Sequence, residues 1–145
     1  MPDITIQLVR DEATPKLRML ADRYPAEHGK ALFRAGSIVE RQAKHNLSGG
    51  RLRARTGRLR GSVRTEVHGD EARIGSNVVY AAIHEFGGEI VPKRASALHF
   101  QTSDGHWVTT QRVHMPARHW LSSALEESWA KVRDVFEETI RRLIA

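Results

Sequence analysis

Leu121, Leu125, Trp129, Val132, Phe136, Ile140 and Leu143 succeed one another by four, four, three, four, four and three residues. That spacing draws one apolar stripe along an α-helix of about six turns. A helix with a single apolar face has to be covered by a second layer, so the chain must supply one. Trp129 and Phe136, as the largest members of the stripe, are expected to pack in the core. Ser123 with Glu126 predicts a capping box at the start of the helix. Glu126 and Glu127 come early and Arg141 and Arg142 late, as the helix dipole favours.

The covering layer is read from the rest of the chain. Ile4, Ile6 and Leu8 alternate with polar residues and predict a short strand. Thr14-Pro15 starts a helix that carries Leu17 and Leu20 towards Tyr24, and Pro25 offers a second start. From there Leu32, Ala35, Val39 and Ala43 form a stripe at helical spacing, which Ser48-Gly49-Gly50 brings to an end. Residues 49–58, GGRLRARTGR, bury too little apolar surface to order themselves and predict a flexible loop. Two β-like runs follow, Leu59 to Val67 and Glu71 to Ser76, joined by His68-Gly69-Asp70. A second hairpin, Ala97 to Thr102 with His106 to Val113, turns at Ser103-Asp104-Gly105. Strand, helices, four strands and helix is an α+β order. It predicts a small antiparallel sheet packed against a long helix and the C-terminal amphipathic helix. Residues 1–145 read as a single domain with a flexible basic loop at about 48–58.

The 145 residues suffice to bury roughly two-thirds of the unfolded surface without a covalent staple. There is no cysteine, which excludes disulfides and thiolate chemistry. The N-terminal residues lack the basic region and apolar run of a signal peptide. The uncharged stretch Ile74 to Ile83 is too short to span a bilayer, so no membrane partner is expected. The net charge of +6 is local: between Arg41 and Arg64 stand eight Lys or Arg residues and no Asp or Glu. Such a segment either serves as a solvated loop or meets an acidic partner, nucleic acid or protein.

Catalytic patterns do not complete themselves. His84-Glu85 opens the metalloprotease pattern H-E-x-x-H, but Gly88 stands where the second histidine belongs. His99, His106, His114 and His119 are spaced by seven, eight and five residues, which matches no standard metal-ligand pair. Six residues separate Gly50 from Gly57, and Arg58-Leu59 follows where a phosphate-binding loop needs Lys and then Ser or Thr. No serine lies in a G-x-S-x-G elbow and no acidic pair stands out for acid–base work. The reading is a non-enzyme with no cofactor and no metal. No zinc finger, RNA-recognition signature or basic zipper is present, which leaves only non-specific nucleic-acid contact through the arginines.

Three motifs then appear in order. The first is Thr56-Gly57-Arg58-Leu59-Arg60-Gly61-Ser62-Val63. The second is Ile74-Gly75-Ser76 followed by Tyr80-Ala81-Ala82-Ile83-His84-Glu85-Phe86-Gly87-Gly88. The third is Met115-Pro116-Ala117-Arg118-His119-Trp120-Leu121. Together they resemble the phage tail-completion and head–tail joining (neck) families, most closely the Mu-like virion-morphogenesis group, with lambdoid minor tail or neck proteins as relatives. The resemblance spans residues 4 to 144. The chain departs from the Mu-like pattern in a compact loop and in His119-Trp120, where that group usually carries proline and phenylalanine.

The resemblance implies a structural subunit at the tail end or head–tail junction, assembled in the host cytoplasm as a ring, a hexamer being favoured. Its partners would be other neck and tail subunits, with DNA in the lumen as a further contact. The arginines Arg51, Arg53, Arg55, Arg58 and Arg60 are the expected partner-binding residues. A non-specific nucleic-acid-binding accessory protein is the alternative. The motif residues Thr56, Gly57, Leu59, Ser62, Tyr80, Glu85, Phe86, Gly87, Pro116, Ala117 and Arg118 are expected to shape the fold. Gly57 and Gly61 allow backbone angles closed to other residues. Tyr80, Ile83 and Phe86 form an apolar stripe on a short helix that Gly87-Gly88 ends. Pro116 sets the entry to the last helix.

Overall fold

Pro25 does not divide the first helix. In the computed structural model, which describes residues 13–49 and 57–145, α1 runs unbroken over Ala13–Asn46 with Pro25 inside it. A proline within a helix leaves the carbonyl four residues earlier without its donor. Here that residue is Ala21, in an exposed stretch, where water can take the donor's place. The second helix start expected at Pro25 is thus absent. The helix ends as the glycines require: Leu47 and Ser48 still bond back to Ala43 and His45, and Gly49 takes a φ of 122°.

The run from Leu59 to Val67 is not one strand. Its first part is a short helix, α2 (Arg58–Ser62), opened by Gly57 in the left-handed region at φ 67°. This winding turns both Leu59 and Val63 into the core, where an extended chain would also have to bury the intervening Gly61. The strand proper is β1 (Arg64–His68), which pairs antiparallel with β2 (Glu71–Gly75) in the register Arg64↔Gly75 to His68↔Glu71. Gly69 supplies the positive φ at the turn.

After β2 comes α3 (Ala81–Phe86), and then a β-structured excursion. It comprises β3 (Gly88–Ile90), β4 (Leu98–Gln101), β5 (Trp107–Thr110) and β6 (Val113–Met115). β4 and β5 form the hairpin anticipated around Ser103-Asp104-Gly105, with Gly105 at φ 87°. Val113 falls outside that hairpin: β6 returns to pair with β3, Gly88 opposite Met115. The described strands number six, in three separate two-stranded ladders, rather than four.

α4 (Ser122–Ile144) closes the fold. It lies antiparallel along α1, as Asn46 to Ser123, Gln42 to Glu127 and Arg34 to Glu138 show. Both strands of the β1–β2 hairpin rest on α1. The contact is close at Gly36, where a Cβ would stand 2.3 Å from the Thr65 methyl group. The architecture is α+β, with helices and a small antiparallel hairpin sharing one core. That core joins Ala35, Val39 and Ala43 of α1, and Leu47 just after it, to Leu59, Val63, Ala81, Trp120, Ala124 and Val132.

α4 buries a different face from the one its large side chains mark out. Facing α1 are Ala124, Ser128, Val132, Val135 and Thr139, small residues that let the two helices approach closely. Leu125, Trp129 and Ile140 lie about a quarter turn round the helix and are exposed, Trp129 by 59 %. The expectation that Trp129 packs in the core is therefore wrong, while Phe136 is partly buried against it. The expected strand at Ile4, Ile6 and Leu8 lies outside the described residues, as does the loop from Gly50 to Thr56.

Candidate functional site

The three motif segments meet at one place. Leu59 and Val63 come from the first, Ala81 from the second and Trp120 from the third, against Val39 and Ala43 of α1 and Leu47 just after it. Trp120 is 2 % exposed, and its indole Nε1 donates to the Ala81 carbonyl at 3.4 Å. Asn46, buried in the last turn of α1, donates through Nδ2 to the Trp120 carbonyl and to Ser123 Oγ, both at 3.2 Å. One polar side chain thus fastens the end of the first helix to the start of the last.

Glu85 performs the cap that the sequence assigned to Ser123. Its carboxylate accepts from the Leu121 N–H at 2.8 Å, the Ser122 N–H at 3.0 Å and the Ser122 hydroxyl at 2.6 Å. A carboxylate at a helix N-terminus satisfies unpaired donors and faces the positive end of the dipole. Ser123 lies inside the helix rather than ahead of it, and its hydroxyl donates back to the His119 carbonyl and accepts from Asn46. Glu85 is buried, which raises its pKa, but the hydrogen bonds from Leu121 and Ser122 outweigh burial and hold the carboxyl below its ordinary value. Two backbone bonds complete the junction, from the Arg118 N–H to the His84 carbonyl at 2.9 Å and from the His119 N–H to the Glu85 carbonyl at 3.1 Å. His119 meets this geometry with a φ of 49°.

The glycine after α3 is dictated by the same junction. Gly87 has a φ of 72° and a ψ of −170°, and an added Cβ would sit 2.6 Å from the Ala117 nitrogen and 2.8 Å from the Met115 carbonyl oxygen. The backbone at Ala117 therefore passes directly over Gly87, with no room for a side chain between them.

Other motif residues divide between the core and the surface. Ser62 donates to the Leu59 carbonyl at 2.7 Å and lies 2.6 Å from the Ser76 hydroxyl, which in turn accepts from the Val78 N–H. That chain of bonds ties α2 to the end of β2. Tyr80 stands edge-on to His84, with ring centroids 5.8 Å apart. Phe86, expected to share an apolar stripe with Tyr80 and Ile83, is 75 % exposed. Pro116, Ala117 and Arg118 are exposed. Arg58 and Arg60 flank buried Leu59 and face outwards from α2. Arg51, Arg53, Arg55 and Thr56 lie outside the described residues.

The arrangement is one of struts. Three donors occupy the Glu85 carboxylate, and Trp120, Asn46 and Ser62 are spent on backbone carbonyls and on the side chains of Ser123, Gln42 and Ser76. Among the described residues no group of His, Asp and Glu is placed to hold a metal ion, and no helix is long and apolar enough to cross a membrane. The sequence reading missed Asn46 and the capping role of Glu85. Their partners are 74 and 36 residues away, so no local pattern announces them.

Two consequences for stability follow from the junction. Glu85→Ala leaves the Leu121 and Ser122 N–H groups uncapped and should cost about 2 kcal/mol in chemical denaturation; a loss indistinguishable from zero would show that the cap is idle. The pH dependence has two windows. His84 is held below its ordinary value of 6.5, first by burial and then by Arg118, and its buried Nδ1 has no hydrogen-bond partner. Its depressed value makes its contribution complete above 6.5 and progressively lost below. Glu85, depressed below 4.5, adds a second loss at lower pH. Glu85→Gln should flatten the lower window and His84→Gln the upper one, as read from denaturation midpoints across pH.

A model of the phage virion morphogenesis family matches residues 16–143 of the chain. No curated protein and no solved structure matches it.

Proposed function

From the premise that the chain belongs to the phage virion morphogenesis family, we propose that it is a non-catalytic subunit that completes the tail or joins it to the head connector. It acts as one member of a ring, a hexamer being favoured, at the tail end or neck of the particle. The observation that carries this reading is the convergence of all three motifs on a fastening point. Glu85, Gly87, Trp120 and Ser62 hold backbone segments together; Ser62 also lines a surface cavity with Arg64, Glu66 and Arg73, but its hydroxyl is already engaged with the Leu59 carbonyl and Ser76. A family whose distinctive residues are used in this way supplies a shape, and its work is done by the surface that the shape displays.

On that surface the basic edge is the first candidate for contact. Arg58 and Arg60 face outwards from α2, and Arg51, Arg53 and Arg55 precede them in sequence. Their proposed partners are acidic neighbouring subunits or DNA passing through the lumen, since guanidinium groups pair bidentately with carboxylate and phosphate alike. Replacing all five with serine should leave the melting temperature of the purified chain within a few degrees of the parent and stop particle completion. Normal infectious particles from that variant would sink the assignment of these residues.

The same edge favours a second reading, a non-specific nucleic-acid-binding accessory protein. Binding through phosphates weakens steeply with salt. A filter-binding titration with duplex DNA at two salt concentrations tells a nucleic-acid partner from a protein one. Tight binding at low salt that collapses at high salt supports contact with DNA, in the lumen or in the accessory role, and no binding at either supports contact with protein.

A further inference from the structure

The start of α1 and the end of α4 lie side by side, and between them runs an apolar groove. α1 has no buried residue before Ala31, and α4 has none after Thr139. Leu20, Ala21 and Tyr24 of α1 nevertheless line a space of about 550 Å³ with Ile140, Leu143 and Ile144 of α4. Tyr24, Ile140 and Ile144 are each half exposed or more. The groove continues towards the start of α1, past Lys16, Met19 and Arg23. A helix face turned to water is ordinarily polar, and contiguous apolar surface of this kind marks an interaction site.

The chain itself carries a segment that fits the groove in pattern, reach and charge. Residues 1–12 precede α1 and lie outside the described residues. Within them Ile4, Ile6 and Leu8 alternate with Thr5 and Gln7, so that an extended run offers one apolar face. Leu8 is five residues from Ala13, a distance that an extended chain spans up to about 17 Å. Leu20 stands only about 10 Å along the helix from Ala13. From Ile4 to Leu8 an extended chain covers about 13 Å, and from Lys16 to Tyr24 the helix advances about 12 Å. The apolar face and the groove therefore match in length. In charge, Asp3, Asp11 and Glu12 outnumber Arg10 in the segment, whereas α1 from Ala13 to Tyr24 holds Lys16, Arg18 and Arg23 against Asp22. Glu27, the next acid along α1, is already paired with Lys30, and Glu137 and Glu138 of α4 are paired with Arg141 and Arg34.

We propose that residues 4–8 fold back along α1 and occupy this groove, with Leu8 towards Leu20 and Ile144 and Ile4 towards Tyr24 and Ile140. Being tethered, the segment meets the groove at an effective concentration of about millimolar, which no separate molecule in dilute solution matches. The contact closes the open end of the helix pair within one chain. It goes beyond the virion role and holds whether or not copies of the chain assemble.

The chain has no cysteine, so Ala21→Cys sets a lone thiol on the wall of the groove and keeps every large side chain around it. Its rate of alkylation by N-ethylmaleimide is measured in the full chain and in the same chain carrying Ile4→Ser, Ile6→Ser and Leu8→Ser. The chain with the native segment is expected to react roughly tenfold or more slowly, because its thiol is reached only when the segment lifts away. That difference should persist on dilution. Equal rates in the two chains would overturn the proposal. Protection that disappears on dilution would also overturn it, since a second copy would then be the cover. Circular dichroism and the melting temperature check that the serine variant keeps its helices. If it does not, Ile6→Ser alone takes its place, and an alkylation rate equal to that of the native segment would overturn the proposal in the same way.

Discussion

Trp120→Ala will unfold this protein at a temperature lower by about 10 °C or more. The indole is buried among residues from α1, α2, α3 and α4 at once. Truncating a fully buried tryptophan removes its transfer free energy and leaves a cavity, together about 3–5 kcal/mol. The variant also strips the Ala81 carbonyl of its indole donor. Against a total stability of roughly 5–15 kcal/mol, such a loss is a large fraction. Trp120→Phe keeps most of the volume and should recover more than half of it. Circular-dichroism melts of the three proteins measure the series, and a Trp120→Ala loss under about 1 kcal/mol would mean that the core can close over the gap.

Gly87→Ala is expected to be nearly as damaging, for a reason that involves no core volume. At φ 72° and ψ −170° the residue occupies a region essentially reserved for glycine. The methyl group would press on the Ala117 nitrogen and the Met115 carbonyl, both of them backbone. Neither can swing aside without breaking the bonds from Arg118 and His119 to the end of α3. About 3 kcal/mol or more should be lost, with low soluble yield. Gly57→Ala provides the internal standard. Gly57 also has positive φ, at 67°, but among the described residues nothing lies within 4 Å of the position a Cβ would take, so only the conformational cost of about 1 kcal/mol is expected. Equal losses at the two positions, measured by urea unfolding, would show that φ alone matters and that the clash at Ala117 is relieved.

The contrast between these sites also indicates which parts of the fold were open to a reader of the sequence. The Ser103-Asp104-Gly105 hairpin was legible because the turn chemistry and its flanking strands are adjacent in the chain. The extent of α4 was legible from its periodicity, but which face it buries was not. The stripe of large residues and the stripe of small ones lie side by side, and only the approach of α1 decides between them. Residues 59–62 read as strand because Leu59 and Val63 are β-compatible. Their helical winding is set by the need to bring both into a core formed with residues from α1, α3 and α4. Pro25 misled in the opposite direction: its local rule holds, but an exposed helix end lets solvent take up the orphaned carbonyl. At the junction, the glycine at 87 was readable as a helix stop, whereas its close approach to Ala117 and the cap by Glu85 depend on contacts made across the whole excursion.

That excursion leaves the core at α3 and returns at Leu121, and Glu85 pins the two ends together. With the exit and the return already tied, what lies between is a closed loop whose length the core does not register. The entropic cost of closing a longer or shorter loop changes only with the logarithm of its length. Sequence and reach between Gly88 and Met115 can therefore vary while the helical core keeps its packing, because the tie at Glu85 fixes where the chain leaves and where it comes back.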